Sequence, residues 1–537
     1  MDDLLLTHGC VYTQYSDIPW ADAILIQNGR IVAVGRDEQI LPARTSHTQV
    51  IDLDGRLVIP GLTDAHFHFH DWSFTRRNLT LAEIRSLEVL QHRLAARAAT
   101  IHPGNWIQGQ GWNETPWPDQ RLPDRSVLDE VAPQHPTILW RSDLHLAVAN
   151  SLALQIAGIH TGTPDPPGGI IDRDPSGAPT GVLRESAINL VSQVIPPPSD
   201  EDTLQAMQEA FPALHRLGLT GLHDFRIIDG AEARRAFRAY QHLRAQDKLP
   251  LRLWMNIPLV HLDQAITLGL RSGFGDDFLQ VGHVKLFSDG SQGARTAWML
   301  EPYLDTGHTG MPLTPMEEIA DAIHRADQAG LAVSLHAIGD RANRELITVF
   351  EEILNHRKSQ FAGRPSAPHR IEHVQNIRPQ DLVRLGNLGL VASVQPIHAT
   401  DDRLMIEQSV GERSRYCYVF ADMIRAGITL ALGSDCPVAD PNPFWGIHAA
   451  MTRQDRDGNP SAGWHPQQRL SLTQAIWGYT MGPAIASGRA HLQGSLSPGK
   501  LADLLVLDQD IFHIQPAKIP HTQVVMTVLG GKIVYQR

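Results

Sequence analysis

Short apolar runs alternate with amphipathic stretches through the middle of the chain. The runs, each typical of a buried strand, lie at residues 219–223, 281–288, 331–336, 369–374, 390–395 and 428–433. Between them, apolar positions recur at helical spacing, for example over residues 315–329 and 341–354, which predicts helices there. Strands that alternate with helices are typical of an α/β fold with a parallel sheet, and this many repeats favour a closed (β/α)8 barrel.

Both ends of the chain predict β-structure of a different kind. Residues 23–34 contain two β-branched runs around an Asn-Gly pair, which is a strong signal for a hairpin. Residues 502–507 read as another strand, and residues 524–535 read as a second hairpin around a Gly-Gly pair. Since an isolated hairpin is only marginally stable in water, we expect both ends to build one small β domain together.

These patterns give the expected domain boundaries. We assign residues 1–61 and 484–537 to the composite β domain and residues 62–483 to the barrel. The barrel segment has 422 residues, well above the ~250 typical of such a fold. Most of the excess precedes residue 217 and is too long for one crossover, so we predict an insertion at roughly 72–217.

Composition and charge narrow the class of protein. The 537 residues are 42% hydrophobic and 19% charged, which is typical of a globular chain. A net charge of -12 without a basic block argues against a nucleic-acid partner. No stretch approaches the ~20 apolar residues of a membrane span, and the first residues do not resemble a signal peptide. Three scattered cysteines fit a reducing compartment, so we expect a cytoplasmic protein.

Histidine is abundant, with 27 copies, and several lie in short patterns. His66 and His68 alternate along a predicted strand and therefore face the same side. Two imidazoles at a strand end suit a zinc-type cation, whereas the alternative is two surface histidines on an edge strand. His70 continues the same face, and we interpret it as a pocket wall rather than as a third ligand.

Other polar residues also end apolar strands. His336 and Asp435 each follow such a run, and His373 follows Glu372 on the opposite face of its strand. Barrel enzymes assemble their sites at the carboxyl ends of the strands, which is the position that these residues share with the two histidines above. A single histidine there is more often a buried core group, but that explanation would have to repeat for each residue.

Lys285 stands inside the apolar run 281–288. Burial lowers the pKa of a lysine and makes its free amine reactive. Such an amine could take up carbon dioxide to form a carbamate, an anionic oxygen ligand that bridges two metal ions. The alternative is an ion pair with a neighbouring acid such as Asp289.

Together these segments resemble the amidohydrolase superfamily, and more narrowly its subgroup of long amidohydrolases that includes the N-substituted formamide deformylases. The resemblance covers essentially the whole chain in the family's order. The segments that carry it are PGLTDAHFH from residue 60, VKLFSDGS from 284, HAIGDRA from 336, HRIEHVQ from 369, LGSD from 432 and GSLSPGKLADL from 494.

The resemblance implies a metal-dependent hydrolase built on a TIM barrel, with a β-sandwich formed by both termini. It implies one or two divalent cations, for which zinc is the first candidate. Within that site the buried amine of Lys285 is the candidate for an N6-carboxylysine. The resemblance gives Asp435 a catalytic role as well as a metal-binding one. The positions that it assigns to the metal are His66, His68, Lys285, His336, His373 and Asp435.

Residues beyond the metal positions are candidate substrate contacts. Trp112 could wall a substrate pocket, and the alternative is that it packs the insertion. The segment 141–145 resembles the subgroup's Arg-Asp-Gly-His, but Ser142 and Leu144 depart from that pattern and leave His145 as a candidate. The further candidates are Asp289, Arg295, Gln395 and His398.

We therefore expect an enzyme that hydrolyses a non-peptide C–N bond of a small molecule, in an amide, an N-formyl amine or a cyclic amide, with a metal-activated water. One alternative is a metal-dependent deaminase of an aminated heterocycle, but that variant generally lacks a metal-bridging lysine. A second is a non-catalytic barrel scaffold, which usually loses the ligands first. A homodimer is the default oligomeric expectation.

Overall fold

The computed structural model describes residues 3–82, 84–114, 117–118, 121–141, 146–225, 230, 232–357 and 365–537. Its strands are β1 (Asp3–Thr7), β2 (Cys10–Tyr12), β3 (Trp20–Ala21), β4 (Ala23–Gln27), β5 (Arg30–Gly35), β6 (Thr48–Asp52), β7 (Leu57–Pro60), β8 (Leu62–Phe67), β9 (Leu79–Thr80), β10 (Ile107–Trp112), β11 (Thr137–Arg141), β12 (Leu146–Ala149), β13 (Gly169–Arg173), β14 (Pro179–Glu185), β15 (Leu219–Asp224), β16 (Arg252–Pro258), β17 (Leu279–Phe287), β18 (Val333–Ala337), β19 (Arg370–His373), β20 (Val391–Val394), β21 (Thr429–Leu432), β22 (Leu504–Leu507), β23 (Val524–Leu529) and β24 (Lys532–Gln536).

The α-helices are α1 (Asp37–Ile40), α2 (Phe69–Thr75), α3 (Leu87–Ala98), α4 (Arg125–Val131), α5 (Ser151–Ile156), α6 (Asn189–Ser192), α7 (Asp200–Arg216), α8 (Ala233–Ala245), α9 (Leu262–Thr267), α10 (Met316–Gln328), α11 (Asp340–Arg357), α12 (Pro379–Asn387), α13 (Pro396–Asp401), α14 (Arg403–Val410), α15 (Phe420–Arg425), α16 (Pro443–Thr452), α17 (Leu472–Gly478) and α18 (Met481–Ala486). Short 3₁₀ helices lie at Leu41–Ala43, Ser186–Ile188, Leu259–His261, Gly411–Tyr416, Pro466–Gln468 and Pro516–His521. None of the helices in the described ranges is long and apolar enough to cross a membrane.

The central sheet has eight strands in the order β21-β20-β19-β18-β17-β16-β15-β8, and every paired neighbour runs parallel. Strands such as β15, β16 and β19 are buried along their whole length, as expected for a parallel sheet covered on both faces. The end strands β8 and β21 meet at a closing seam, where one bridge joins Phe67 to Cys436. The predicted (β/α)8 barrel is confirmed.

The sequence analysis did not predict the barrel strand β16 (Arg252–Pro258). In β16, Arg252 and Asn256 interrupt the apolar pattern, yet both are buried. Arg252 Nε lies 2.5 Å from a carboxylate oxygen of Asp503, and the Asn256 amide donates to the Asp224 carbonyl over 3.0 Å. Polar side chains can occupy a buried strand when each has such a partner.

Strands from both ends of the chain form two further sheets, β5-β4-β1-β6 and β24-β23-β22-β7-β2-β3. In the second sheet, β7 pairs with β22 although almost the whole barrel lies between them in sequence. Apolar residues of both sheets, including Leu4, Ile24, Val58 and Leu504, share one hydrophobic core. This arrangement confirms the predicted small β-sandwich built from both termini.

Residues 73–206 form a separate compact unit. It has its own mixed sheet in the order β13-β14-β12-β11-β10-β9. Its buried apolar residues make clusters around Leu128 and Leu139 on one side and around Ile138 and Leu183 on the other. The unit lies within the segment that the sequence predicts as an insertion.

Candidate active site

Backbone hydrogen bonds across the barrel seam bring the first and last barrel strands together at their carboxyl ends. The Asp435 N–H donates to the His66 carbonyl, and the His68 N–H donates to the Cys436 carbonyl, each over 2.8 Å. Asp435 has a φ of 60°, a left-handed conformation that is uncommon outside glycine. The seam therefore places His66, His68 and Asp435 next to one another.

Asp64 ties the two strands together just below these bonds. It is completely buried, and its carboxylate accepts the His66 N–H over 3.0 Å and the Ser434 hydroxyl over 2.6 Å. The Ser434 N–H donates to the same carboxylate over 3.0 Å. Burial nevertheless raises the pKa of Asp64 to about 7. The Asp64 carboxylate thus links β8 to the residues after β21, where hydrogen bonds between two paired strands would otherwise do so.

The three seam residues fit a cation site. His66 Nε2 lies 3.4 Å and His68 Nε2 lies 3.0 Å from Asp435 Oδ1. Two atoms that each lie about 2.0–2.1 Å from one cation are about 3.4 Å apart in tetrahedral geometry. Nitrogen and carboxylate oxygen are also the ligand types that zinc takes in proteins. The donor set therefore fits a divalent cation of the zinc class.

A second group of potential ligands, His373 and His398, shares Asp435 with the first. Strand alternation would point His373 away from Glu372, but His373 has a φ of 71°, which turns its ring toward the site. The His373 Nδ1–H donates to Gln395 Oε1 over 2.9 Å, so Nε2 is left as the unprotonated nitrogen. Burial lowers the pKa of His373 well below its ordinary value.

His66 is oriented from two sides. Its Nδ1–H donates to Glu372 Oε2 over 2.7 Å, which leaves Nε2 facing Asp435. Its ring stacks on Phe225 at 4.0 Å between centroids and 14° between planes. Burial lowers the pKa of His66 to about 4, so the imidazole is neutral near pH 7 and able to bind a cation.

His336 is neutral for the same reason. Burial lowers the pKa of His336 to about 3, and its Nε2–H donates to the Gly290 carbonyl over 3.2 Å.

The pKa of His68 is shifted in the opposite direction, because this histidine lies against the Asp435 carboxylate. Burial lowers the pKa of His68, but the hydrogen bond and charge of Asp435 outweigh that effect, so the pKa is raised overall.

Lys285 is buried, and chiefly for that reason its pKa is lowered to about 8. Its Nζ lies 5.0 Å and 4.7 Å from the ring centroids of Phe225 and Phe287.

Lys285 does not form the ion pair with Asp289 that the sequence analysis left open as an alternative. The Asp289 carboxylate instead accepts three backbone N–H groups, those of Trp298, Ile338 and Gly339. Asp289 is thus fully buried, and these three N–H groups are the partners of its carboxylate.

One cavity of about 370 Å³ brings the predicted metal positions together. It is lined by all six of them, His66, His68, Lys285, His336, His373 and Asp435. Apolar side chains form part of its wall, namely Phe287, Ile338, Met405 and Val438. Polar side chains complete the lining, among them Gln292, Gln375, His398 and Asp402.

The other predicted substrate contacts have different surroundings. His398 lines the cavity, and its Nε2 is buried without a hydrogen-bond partner among the described residues. Gln395 lies behind His373 and orients it. Arg295 forms an ion pair with Asp305 at 2.6 Å. In both residues these contacts are made within the protein, by the Gln395 side-chain oxygen and by the Arg295 guanidinium.

For two other candidates, Trp112 and His70, the structure gives the surroundings, and a third lies outside the described residues. Trp112 is completely buried in the unit 73–206, and its indole N–H donates to the Leu139 carbonyl over 3.0 Å, so it packs that unit. His70 does not continue the face of His66, because β8 ends before it and His70 lies in α2. His145 lies outside the described residues.

Sequence reasoning missed two residues that support the site from inside the barrel. Arg370 and Glu372 alternate along the short buried strand β19 and both face inward. Two charged residues at a spacing of two in a buried strand were the available signal. Burial alone would raise the pKa of Glu372, but Arg370 and the His66 hydrogen bond hold it well below its ordinary value.

A family model, relatives of known sequence and solved structures all match this chain over nearly its whole length. A family model described as the amidohydrolase family matches residues 49–535. Protein LONG AFTER FAR-RED 3 of Arabidopsis thaliana is 34% identical over 99% of this chain and 91% of its own length. An N-substituted formamide deformylase of Arthrobacter pascens is 28% identical over 100% of this chain and 99% of its own. The crystal structure of a metal-dependent hydrolase from Pyrococcus horikoshii is 27% identical, with a TM-score of 0.78 over 96% of this chain and 99% of that one.

The close packing at the seam lets us predict the effect of adding one methyl group at Gly433. A Cβ at Gly433 would lie 2.6 Å from Asp64 Oδ1 and 2.6 Å from the His66 backbone nitrogen. Gly433→Ala should therefore separate β8 from β21, lower the free energy of unfolding by about 1–3 kcal/mol, and reduce metal content. Urea unfolding and elemental analysis measure both effects. Gly293→Ala is the matched control, because a Cβ there meets nothing within 4 Å; equal stability of the two variants would contradict the prediction.

Proposed function

Because the chain belongs to the amidohydrolase family, we propose that it is a metal-dependent hydrolase of a non-peptide C–N bond in a small molecule, which is an amide, an N-formyl amine or a cyclic amide. The observation that carries the proposal is the convergence of four histidines, Lys285 and Asp435 on one cavity. Neutral imidazoles and a carboxylate are the donors that a catalytic divalent cation requires.

We assign the cation ligands by position in the cavity. His66, His68 and Asp435 would hold one divalent cation, and His336 and His373 would hold a second together with a carbamate formed on Lys285. Zinc is the first candidate. The chain has only three cysteines, widely separated at Cys10, Cys417 and Cys436, and this low number supports a cytoplasmic location. A cation bound here lowers the pKa of a water molecule and polarises the substrate carbonyl.

Asp435 is the proton carrier in this proposal. Burial opposes ionisation, but His66 and His68 hold the pKa of Asp435 well below its ordinary value, so a carboxylate is available to accept a proton near pH 7. The water oxygen bonds to the carbonyl carbon while Asp435 accepts a proton from it. Asp435 then returns that proton to the nitrogen as the C–N bond breaks, which gives a carboxylic acid and an amine.

The rest of the cavity binds the substrate. We assign His398 to the substrate carbonyl or its leaving group, because its buried Nε2 has no partner in the described part of the chain. Phe287, Met405 and Val438 would contact an apolar substituent. Lys285 at the cavity argues against the deaminase alternative, which generally lacks a metal-bridging lysine.

The proposal is tested by a substrate panel. Purified protein should release amines from N-formyl amines, amides or lactams, lose that activity with a chelator, and regain it with zinc. A metal-replete protein that leaves the whole panel unchanged would contradict the proposal. Release of ammonia from aminated heterocycles instead would favour the deaminase.

Replacing the proton carrier should separate chemistry from folding. Asp435→Asn keeps the shape of the side chain but removes the proton acceptor, so turnover should fall by about 10²–10⁴-fold. Steady-state kinetics measure this effect, and circular dichroism checks the fold. Asp440→Asn makes the same change at a carboxylate that pairs with Arg456 outside the cavity and should leave turnover unaltered. Near-normal turnover of Asp435→Asn would remove Asp435 from this role.

The carbamate makes a separate prediction. A carbamylated Lys285 gains about 44 Da and changes from a cation to an anion that can bridge two ions. Lys285→Ala should therefore lose one or both cations, and added short carboxylic acids should restore part of the activity. Native mass spectrometry and elemental analysis measure both properties. Lys500→Ala alters a half-buried lysine that donates to the Gln493 carbonyl, and this variant should keep the metal. Full metal content in Lys285→Ala would defeat the two-metal assignment.

A further inference from the structure

An arginine inside the barrel holds the carboxylate that orients His66. Arg370 and Glu372 are both completely buried. Arg370 Nε donates to Glu372 Oε1 over 2.6 Å, and Nη2 donates to Oε2 over 3.0 Å. This paired contact fixes the plane of the carboxylate as well as its position. Arg370 does not line the catalytic cavity.

The remaining donors of Arg370 reach two other barrel strands. Nη2 also donates to the Ala65 carbonyl over 2.7 Å, and Ala65 directly precedes His66 in β8. Nη1 donates to His223 Nδ1 in β15 over 2.7 Å. One guanidinium group therefore fixes the backbone before His66 and the carboxylate behind its ring.

The hydrogen bonds of Glu372 leave one arrangement for His66. Oε1 accepts from Arg370 and from the Ser334 hydroxyl, at 2.6 Å and 2.5 Å. Oε2 accepts from Arg370 and lies 2.7 Å from His66 Nδ1. With both oxygens acting as acceptors, Nδ1 of His66 must carry the hydrogen, and Nε2 must carry the lone pair that faces Asp435.

Phe225 completes the same assembly. Its ring stacks on His66 at 4.0 Å, and the Arg370 guanidinium lies 5.3 Å from the ring centroid. Contacts from Arg370 thus reach His66 through its backbone, its Nδ1 partner and its stacking partner. All three restrict the orientation of the imidazole.

We propose that Arg370 is a positioning residue of the metal centre, which acts through Glu372 to fix the tautomer and orientation of His66 and thereby sets the affinity for the cation. The inference rests on the proposed function, because it requires that His66 is a ligand. Groups that hydrogen-bond a ligating histidine typically change metal affinity by about 10–100-fold when they are removed.

The alternative is that the pair serves folding alone, and a double substitution separates the two roles. Replacing a buried ion pair by apolar residues of similar size is often neutral or stabilising. Arg370→Met/Glu372→Leu should therefore fold but leave His66 Nδ1 without its acceptor. We expect its zinc dissociation constant to rise about 10–100-fold, measured by competition with a chromophoric chelator, and its cobalt absorption spectrum to change.

Two single variants complete the experiment. Arg370→Lys keeps the charge but cannot bridge Glu372, Ala65 and His223 together, so it should also weaken zinc binding, and it decides the question if the double variant does not fold. Arg453→Met removes another completely buried arginine, which donates to the Trp464 carbonyl at 2.9 Å, and should leave zinc affinity unchanged.

The outcomes are distinguishable. Wild-type affinity and an unchanged cobalt spectrum in folded Arg370 variants would overturn the positioning role and leave the proposed function standing. An equal loss of affinity in Arg453→Met would also overturn it, because the effect would then be general. Wild-type protein that binds neither zinc nor cobalt would overturn the proposed function and this inference together.

Discussion

Closure of the barrel between β8 and β21 is the constraint on which the site depends, because the groups that close the seam also carry the chemistry. Backbone hydrogen bonds join the two strands, between His66 and Asp435 and between His68 and Cys436. The Asp64 carboxylate adds further hydrogen bonds across the same seam. A barrel that did not close would separate His66 and His68 from Asp435. Fold and cation site are therefore coupled at this seam.

Burial sets the electrostatics of the closed barrel. Taking imidazoles out of water lowers the pKa of His66 to about 4 and of His336 to about 3, which keeps their nitrogens available to a cation. The same burial would be costly for Arg370 and Glu372 if either were alone. Each satisfies the other, so a charged pair can lie inside the barrel and orient the ligand above it.

Two unusual backbone conformations, at His373 and Asp435, also shape the cation site. His373 and Asp435 both have left-handed φ values, which cost a non-glycine residue about 1–3 kcal/mol each. His373 would otherwise face away from the interior that Glu372 occupies. The hydrogen bonds from His373 to Gln395 and from the Asp435 N–H to His66 hold these conformations at the site.

From the sequence we could predict the barrel and the terminal hairpins, because strand period and turn residues are local patterns. Parallel pairing sends residues at strand ends to one edge, which drew attention to the histidines and to Asp435, whereas the assignment of the metal to all six positions came from the family resemblance. The sequence did not determine β16, whose polar residues needed partners elsewhere in the fold. Nor did it reveal that Glu372 lies behind His66, 306 positions earlier in the chain, or that Asp289 and Trp112 are buried. Those outcomes depend on contacts between residues far apart in sequence and on left-handed turns that local periodicity does not encode, so they are visible only in the folded chain.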